Sequence, residues 1–224
     1  MASSSAFQTY LERYALLSLE KQDKLTSLIG ENLHELDLDA GTIRFDQFQF
    51  SMQVIGTESD NTLTWLWAWA DEHPELPTSL MQSAIELRTW GSGERIPEFT
   101  MPSVDLNTAD GTAISMIASE VTKASCFYRD SYEGGAVFLL LSDRTIDNQP
   151  PFDRARLLRA LSDLLSQQDL DHRNTLLSYL TMKGLSPVGE RNLISCELES
   201  GERLVAEFDD AGRLTIINGA PFEV

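Results

Sequence analysis

Between residues 33 and 70 the chain alternates apolar and polar side chains at a period of two, and short turn signals break the alternation into segments. Leu36 and Leu38 alternate with Asp37 and Asp39, Ala40 and Gly41 supply a turn, and Ile43, Phe45, Phe48, Phe50 and Met52 carry the pattern on. A period of two puts every second residue on one face of a strand, so this stretch reads as strands joined by tight hairpins. Residues 54–57, the polar turn 58–61 and the run 63–70 complete a meander of about four antiparallel strands. In the last of these Leu63, Trp65, Trp67 and Trp69 point one way, and Thr64, Leu66, Ala68 and Ala70 the other. Both faces are therefore expected to be covered: the indoles fill a core layer, and the small residues let a helix approach.

Helical spacing brackets the meander. Phe7, Tyr10, Leu11, Tyr14, Leu17, Leu25 and Leu28 predict a long opening helix, with Ser3 to Ser5 as cap and Gly30 as stop. After Pro74 and Pro77 an amphipathic helix is expected over Leu80, Met81, Ala84, Ile85 and Leu87, ending near Trp90 and Gly91, then a short extended piece at 96–101. Asn107 or Asp110 can cap a helix bearing Ile114, Ile117 and Val121. Strands 125–129 and 136–141 follow, the second lacking alternation and so reading as central, with neighbours on both sides.

The Pro pair within 147–151 marks an internal boundary, giving expected domains 1–148 and 149–224. Beyond it come a helix capped by Asp153, a second capped near Asp169 or Asp171, and a three-stranded meander over 193–198, 204–208 and 214–217. The fold class is α+β: a mostly antiparallel meander sheet packed by helices, with a C-terminal extension of two helices and three strands.

Charge is distributed unevenly. The chain carries −18, and residues 31–75 hold ten carboxylates against one base, Arg44, which is half of that total. A surface of this sign repels nucleic-acid phosphates and anionic lipid headgroups and speeds encounter with basic proteins. No nucleic acid and no membrane are expected as partners. No apolar run reaches the roughly 20 residues that cross a bilayer and residues 1–7 lack the pattern of a secretion signal, so the expected compartment is the cytoplasm. Cys126 and Cys196 sit in apolar-alternating segments and read as buried thiols.

Catalytic patterns are missing. The sequence has no G-x-S-x-G, and His34-Glu35-Leu36-Asp37-Leu38 lacks the second histidine of H-E-x-x-H. Gly91-Ser92-Gly93-Glu94 is not a dinucleotide fingerprint, and the 37–41 stretch lacks the distal ligands of a calcium loop. No cofactor, no metal and no catalytic residue is expected. Asp37 and Asp39, two apart on a strand, share a face, but a carboxylate pair alone does not make a hydrolase.

The string Leu36-Asp37-Leu38-Asp39-Ala40-Gly41-Thr42-Ile43-Arg44-Phe45, then Gln53-Val54-Ile55-Gly56-Thr57 and Thr64-Trp65-Leu66-Trp67-Ala68-Trp69-Ala70, resembles an uncharacterised bacterial domain-of-unknown-function family. The likeness carries an L-D-x-D-x-G-T hairpin and a T-W-L-W-A-W strand and spans about residues 30–145. It implies a bacterial source and an α+β fold, and it transfers no catalytic residue.

The expectation that follows is an acidic binding protein rather than an enzyme. By analogy of class with small acidic bacterial immunity proteins, it would dock and neutralise a basic protein, a toxin or effector. The expected contact residues are Asp37, Asp39, Asp46, Glu58, Asp60, Asp71 and Glu72, with an exposed aromatic among Phe48, Trp65 and Trp90 as anchor. The alternatives are a small-molecule-binding or enzymatic domain with Trp65, Trp67 and Trp69 lining a cavity, or an accessory module whose C-terminal meander mediates assembly.

Overall fold

Helix α1 (Ser5–Ile29) begins where the Ser4 hydroxyl accepts the Phe7 N–H at 3.2 Å, and it stops at Gly30, whose φ of 56° few side chains tolerate. The computed structural model describes residues 3–30, 33–70, 76–147, 154–198 and 201–222. Packing divides the chain into two units, Met1–Gln8 with Lys21–Gln149, and Thr9–Glu20 with Pro150–Val224. The middle of α1 thus groups with the C-terminal segment, which the Pro-rich boundary at 147–151 does not reveal. The expected caps at Asp153 and the break at Pro74 lie outside the described residues.

In the first unit strands β1 (His34–Asp37), β2 (Thr42–Phe45), β3 (Phe48–Ser59) and β4 (Thr64–Trp67) form the anticipated antiparallel meander. Helix α2 (Gln82–Glu94), strand β5 (Ser103–Asp105), helix α3 (Gly111–Val121), strands β6 (Cys126–Tyr132) and β7 (Gly135–Ser142) and the short α4 (Arg144–Asp147) follow. The organising element is β3. Its first half pairs with β2 and its second half with β4 on one edge, while β7 runs along the other edge. β7 is central between β3 and β6, as its unbroken apolar run requires. A bulge at Ile55 lets β3 turn there, and Gly56 brings the backbone against Trp65.

Trp65 and Trp67 are fully buried and in ring contact with each other at 5.4 Å. Phe138 lies against Trp65 at 5.3 Å and Phe99 against Trp67 at 5.2 Å, and the Trp67 indole N–H donates to the Glu98 carbonyl at 2.9 Å. The ladder is shorter than its sequence pattern: β4 ends at Trp67, Trp69 stands in a turn under the Arg88 guanidinium, and Leu63 is a turn residue at φ 51°.

Two helix boundaries differ from the sequence reading. α2 continues through Gly91 to Glu94, and Gly91 packs on Phe99 where a Cβ would come within 2.4 Å. Pro97–Phe99 forms a 3₁₀ turn rather than an extended piece, and the strand begins only at Ser103. Asp110 caps α3, accepting the Ala113 N–H at 2.7 Å.

The second unit contains α5 (Arg154–Gln167), α6 (His172–Met182) and strands β8 (Val188–Glu190), β9 (Leu193–Glu197), β10 (Arg203–Phe208), β11 (Leu214–Ile217) and β12 (Ala220–Pro221) in one antiparallel sheet. The sequence marks the three inner strands. The outer two are short and wholly exposed, so they leave no hydrophobic pattern. Glu20 of α1 is buried here and accepts from Lys183 at 3.0 Å and from the Tyr179 hydroxyl at 3.2 Å. Burial and then Glu20 push the Tyr179 hydroxyl well above the ordinary range.

Candidate partner-binding surface

The β1–β2 hairpin places the acidic side chains. Asp37 Oδ1 accepts the Ala40 N–H at 2.9 Å, and Gly41 at φ 65° completes the turn with its α-carbon against Leu80. Register then decides the faces: Glu35 lies opposite Arg44, Asp37 opposite Thr42, and Arg44 opposite Gln49. These residues share the polar face, whereas Leu36 lies opposite Ile43 and His34 opposite Phe45 on the apolar one. An open groove of about 720 Å³ is lined by Glu35, Asp37, Asp39, Arg44, Leu36 and Leu38 among others.

Arg44 pairs with Glu35, whose hydrogen bond and charge raise the guanidinium above its ordinary value. Among the described residues no ion pair reaches Asp37 or Asp39, so the groove retains negative charge. The same hairpin exposes Leu33, Leu36 and Leu38 at 94%, 40% and 45%. Carboxylates and accessible leucines therefore stand side by side on this hairpin.

The other expected contact residues are dispersed. Asp46 sits in the turn between β2 and β3, with Phe48 half-buried beside it, and Asp60 follows the far end of β3. At about 3.3 Å per strand residue, Asp46 lies on the order of 15 Å from the hairpin tip and Asp60 on the order of 25 Å in the opposite direction. Trp90 is half-buried and packs edge-on to Phe99 at 5.2 Å. Asp71 and Glu72 lie outside the described residues.

Two expected contacts are corrected by burial. Trp65 is 0% exposed and forms core, so it cannot anchor a partner. Glu58 is 7% exposed, and its Oε1 accepts the Gly111 N–H at 2.6 Å at the start of α3 while Oε2 stands 3.5 Å from Arg129. A carboxylate at a helix N-terminus compensates the unpaired N–H groups there, which makes Glu58 a structural residue. Sequence reasoning passed over Glu35, although its place two residues before Asp37 puts it on the same strand face.

A second cluster went unnoticed because its members are distant in sequence. His34 Nε2 lies 3.0 Å from Asp130 and Nδ1 lies 3.4 Å from the Tyr128 hydroxyl, with Phe45 and Tyr128 in edge contact at 5.0 Å. β1 and β6 are separated by three strands in the sheet, so this contact requires the sheet to curl. The trio has the order of a nucleophile, base and orienting acid. Burial and then Asp130 push the Tyr128 hydroxyl up, and the contacts tie β1 to β6.

Among the described residues no group of three or more His, Cys, Asp or Glu is placed to hold a metal, and no helix is long and apolar enough to cross a membrane. Cys126 and Cys196 are free and buried, and burial pushes the Cys126 thiol up to about 12. No curated protein and no solved structure matches the chain. The model of DUF6882, a family of unknown function, matches residues 8–144, and the chain belongs to that family.

Proposed function

We propose that the protein is a cytoplasmic binding protein of the immunity type, which captures a basic toxin or effector at the β1–β2 hairpin and occludes its active surface. The observation carrying this reading is the groove itself, where Glu35, Asp37 and Asp39 stand beside Leu36 and Leu38 in a chain of net charge −18.

The two kinds of side chain have separate tasks. An exposed ion pair contributes roughly 0.2–1 kcal/mol, so three carboxylates do not by themselves hold a partner. Their field acts on encounter, raising the association rate in a salt-dependent way. Burying a leucine gives roughly 1.5–3 kcal/mol, so the exposed leucines govern how long the complex lasts.

The test is co-expression with basic products of neighbouring genes, scored as relief of toxicity, then association kinetics across a salt series. Asp37→Asn with Asp39→Asn should slow association about tenfold at low salt and leave dissociation nearly unchanged. Leu36→Ser with Leu38→Ser should do the reverse. Relief that persists unchanged in both double variants would overturn the reading.

A further inference from the structure

In the second unit, α5 carries three arginines, Arg154, Arg156 and Arg159, within six residues, with Asp153 before them in sequence and Asp163 after them. The core stripe of this helix is Leu157, Leu161 and Leu164, all buried. Arg154 and Leu158, one helical turn apart, lie off that stripe with Arg159 beside them, and together they form one wall of an open groove of about 360 Å³. The opposite wall comes from the end of the sheet, at Ile217, Pro221 and Phe222. Leu158 and Phe222 are half-buried, so apolar surface remains open to solvent along the floor.

Among the described residues, Arg154 and Arg159 make neither an ion pair nor a side-chain hydrogen bond. In a chain with about twice as many acidic as basic residues, two guanidiniums unengaged beside apolar side chains are complementary to an anion. The volume falls in the roughly 300–1,000 Å³ range of small-molecule sites. A guanidinium offers a planar fork matched to a carboxylate. At physiological salt the field of carboxylates more than about 8 Å away is screened, and Asp163, one helical turn beyond Arg159, makes no ion pair with it among the described residues.

We propose that this groove binds a small amphiphilic carboxylate as a free monomer, with its headgroup on Arg154 and Arg159 and its aliphatic chain along Leu158, Ile217 and Phe222. The site is independent of the acidic hairpin and lies beyond the residues matched by the family.

The experiment titrates octanoate, acetate and octanol into the full-length ¹⁵N-labelled protein and follows backbone amide shifts. Saturable octanoate shifts confined to residues around Leu158, Ile217 and Phe222 are expected, with acetate and octanol at least tenfold weaker. Arg154→Gln with Arg159→Gln, both on the surface, should keep the circular dichroism of the parent and weaken octanoate at least tenfold, and Phe222→Ala should weaken it severalfold. Octanoate shifts that do not saturate, that match acetate, or that persist in the arginine double variant would overturn the proposal. So would arginine-dependent binding to phosphatidylglycerol vesicles without binding of free octanoate, which would make the groove a membrane contact.

Discussion

Replacing Glu58 separates a structural carboxylate from a surface one. Its Oε1 accepts the Gly111 N–H at 2.6 Å, within a site closed by Phe138, against which Gly111 packs so tightly that a Cβ would come within 2.6 Å. Glu58→Gln keeps the shape and removes the charge. A hydrogen bond to a charged acceptor is worth about 1 kcal/mol more than a neutral one, and a partly buried charge at a helix N-terminus adds up to about 2 kcal/mol. We therefore expect a loss of about 2 kcal/mol. Glu58→Ala also strands the buried Gly111 N–H, which costs a further 1–3 kcal/mol or so, giving about 4 kcal/mol in all. Arg129, 3.5 Å away with a side chain 41% exposed, contributes little, so Arg129→Gln should cost under about 0.5 kcal/mol. Urea unfolding gives these differences directly, and at roughly 2–4 °C per kcal/mol for a unit of this size Glu58→Gln should lower Tm by about 4–8 °C. A Glu58→Gln variant as stable as the parent, or an Arg129→Gln variant equally damaged, would refute the assignment.

Gly56→Ala should destabilise the first unit by about 3 kcal/mol in the same assay, because its Cβ would meet Trp65 at 2.3 Å and the Leu66 carbonyl at 2.6 Å, and backbone cannot move aside cheaply. Cys126 should resist a thiol-reactive disulfide reagent at neutral pH until the chain unfolds, since burial pushes its thiol up to about 12. The same shift fixes a pH dependence. The folded thiol stays neutral above the pH at which the unfolded one ionises, so stability is full below about pH 9 and declines from there towards pH 12. Cys126→Ala should flatten that decline, and an unchanged alkaline limb in urea titrations would contradict it.

The fold was legible where local rules act alone. A cap among Ser3 to Ser5 and the Gly30 stop of α1, caps narrowed to Asn107 or Asp110 and to Asp169 or Asp171, and the central position of β7 follow from side-chain chemistry and apolar patterning within a few residues, and Ser4, Asp110 and Asp171 are the residues that cap. What escaped depends on distant pairing. The length of β3 was hidden because its bulge at Ile55 breaks the period of two, so one strand reads as two segments. The curl that joins His34 to Tyr128 and Asp130 leaves no mark on either strand. The candidate surface was half legible for the same reason. Asp37 and Asp39 announce themselves as a turn, but Glu58 opens the polar run Glu58-Ser59-Asp60-Asn61, which reads as an exposed turn, whereas β3 continues to Ser59 and the arrival of α3 buries the carboxylate.

The hairpin carboxylates answer to two physical pressures that act on different observables. β1 is an edge strand of four residues, and charge on such an edge discourages pairing with another chain. That pressure accounts for Glu35 and Asp37. It does not account for Leu33, Leu36 and Leu38, since exposed apolar side chains on an edge invite the very association that charge prevents. Edge protection alone would favour polar residues at all of these positions. The proposed function supplies a cover for the leucines. A partner that supplies cations to the polar face and apolar surface to the leucines satisfies both. On the proposed reading, the acidic charges repel further copies of this chain and attract a basic protein.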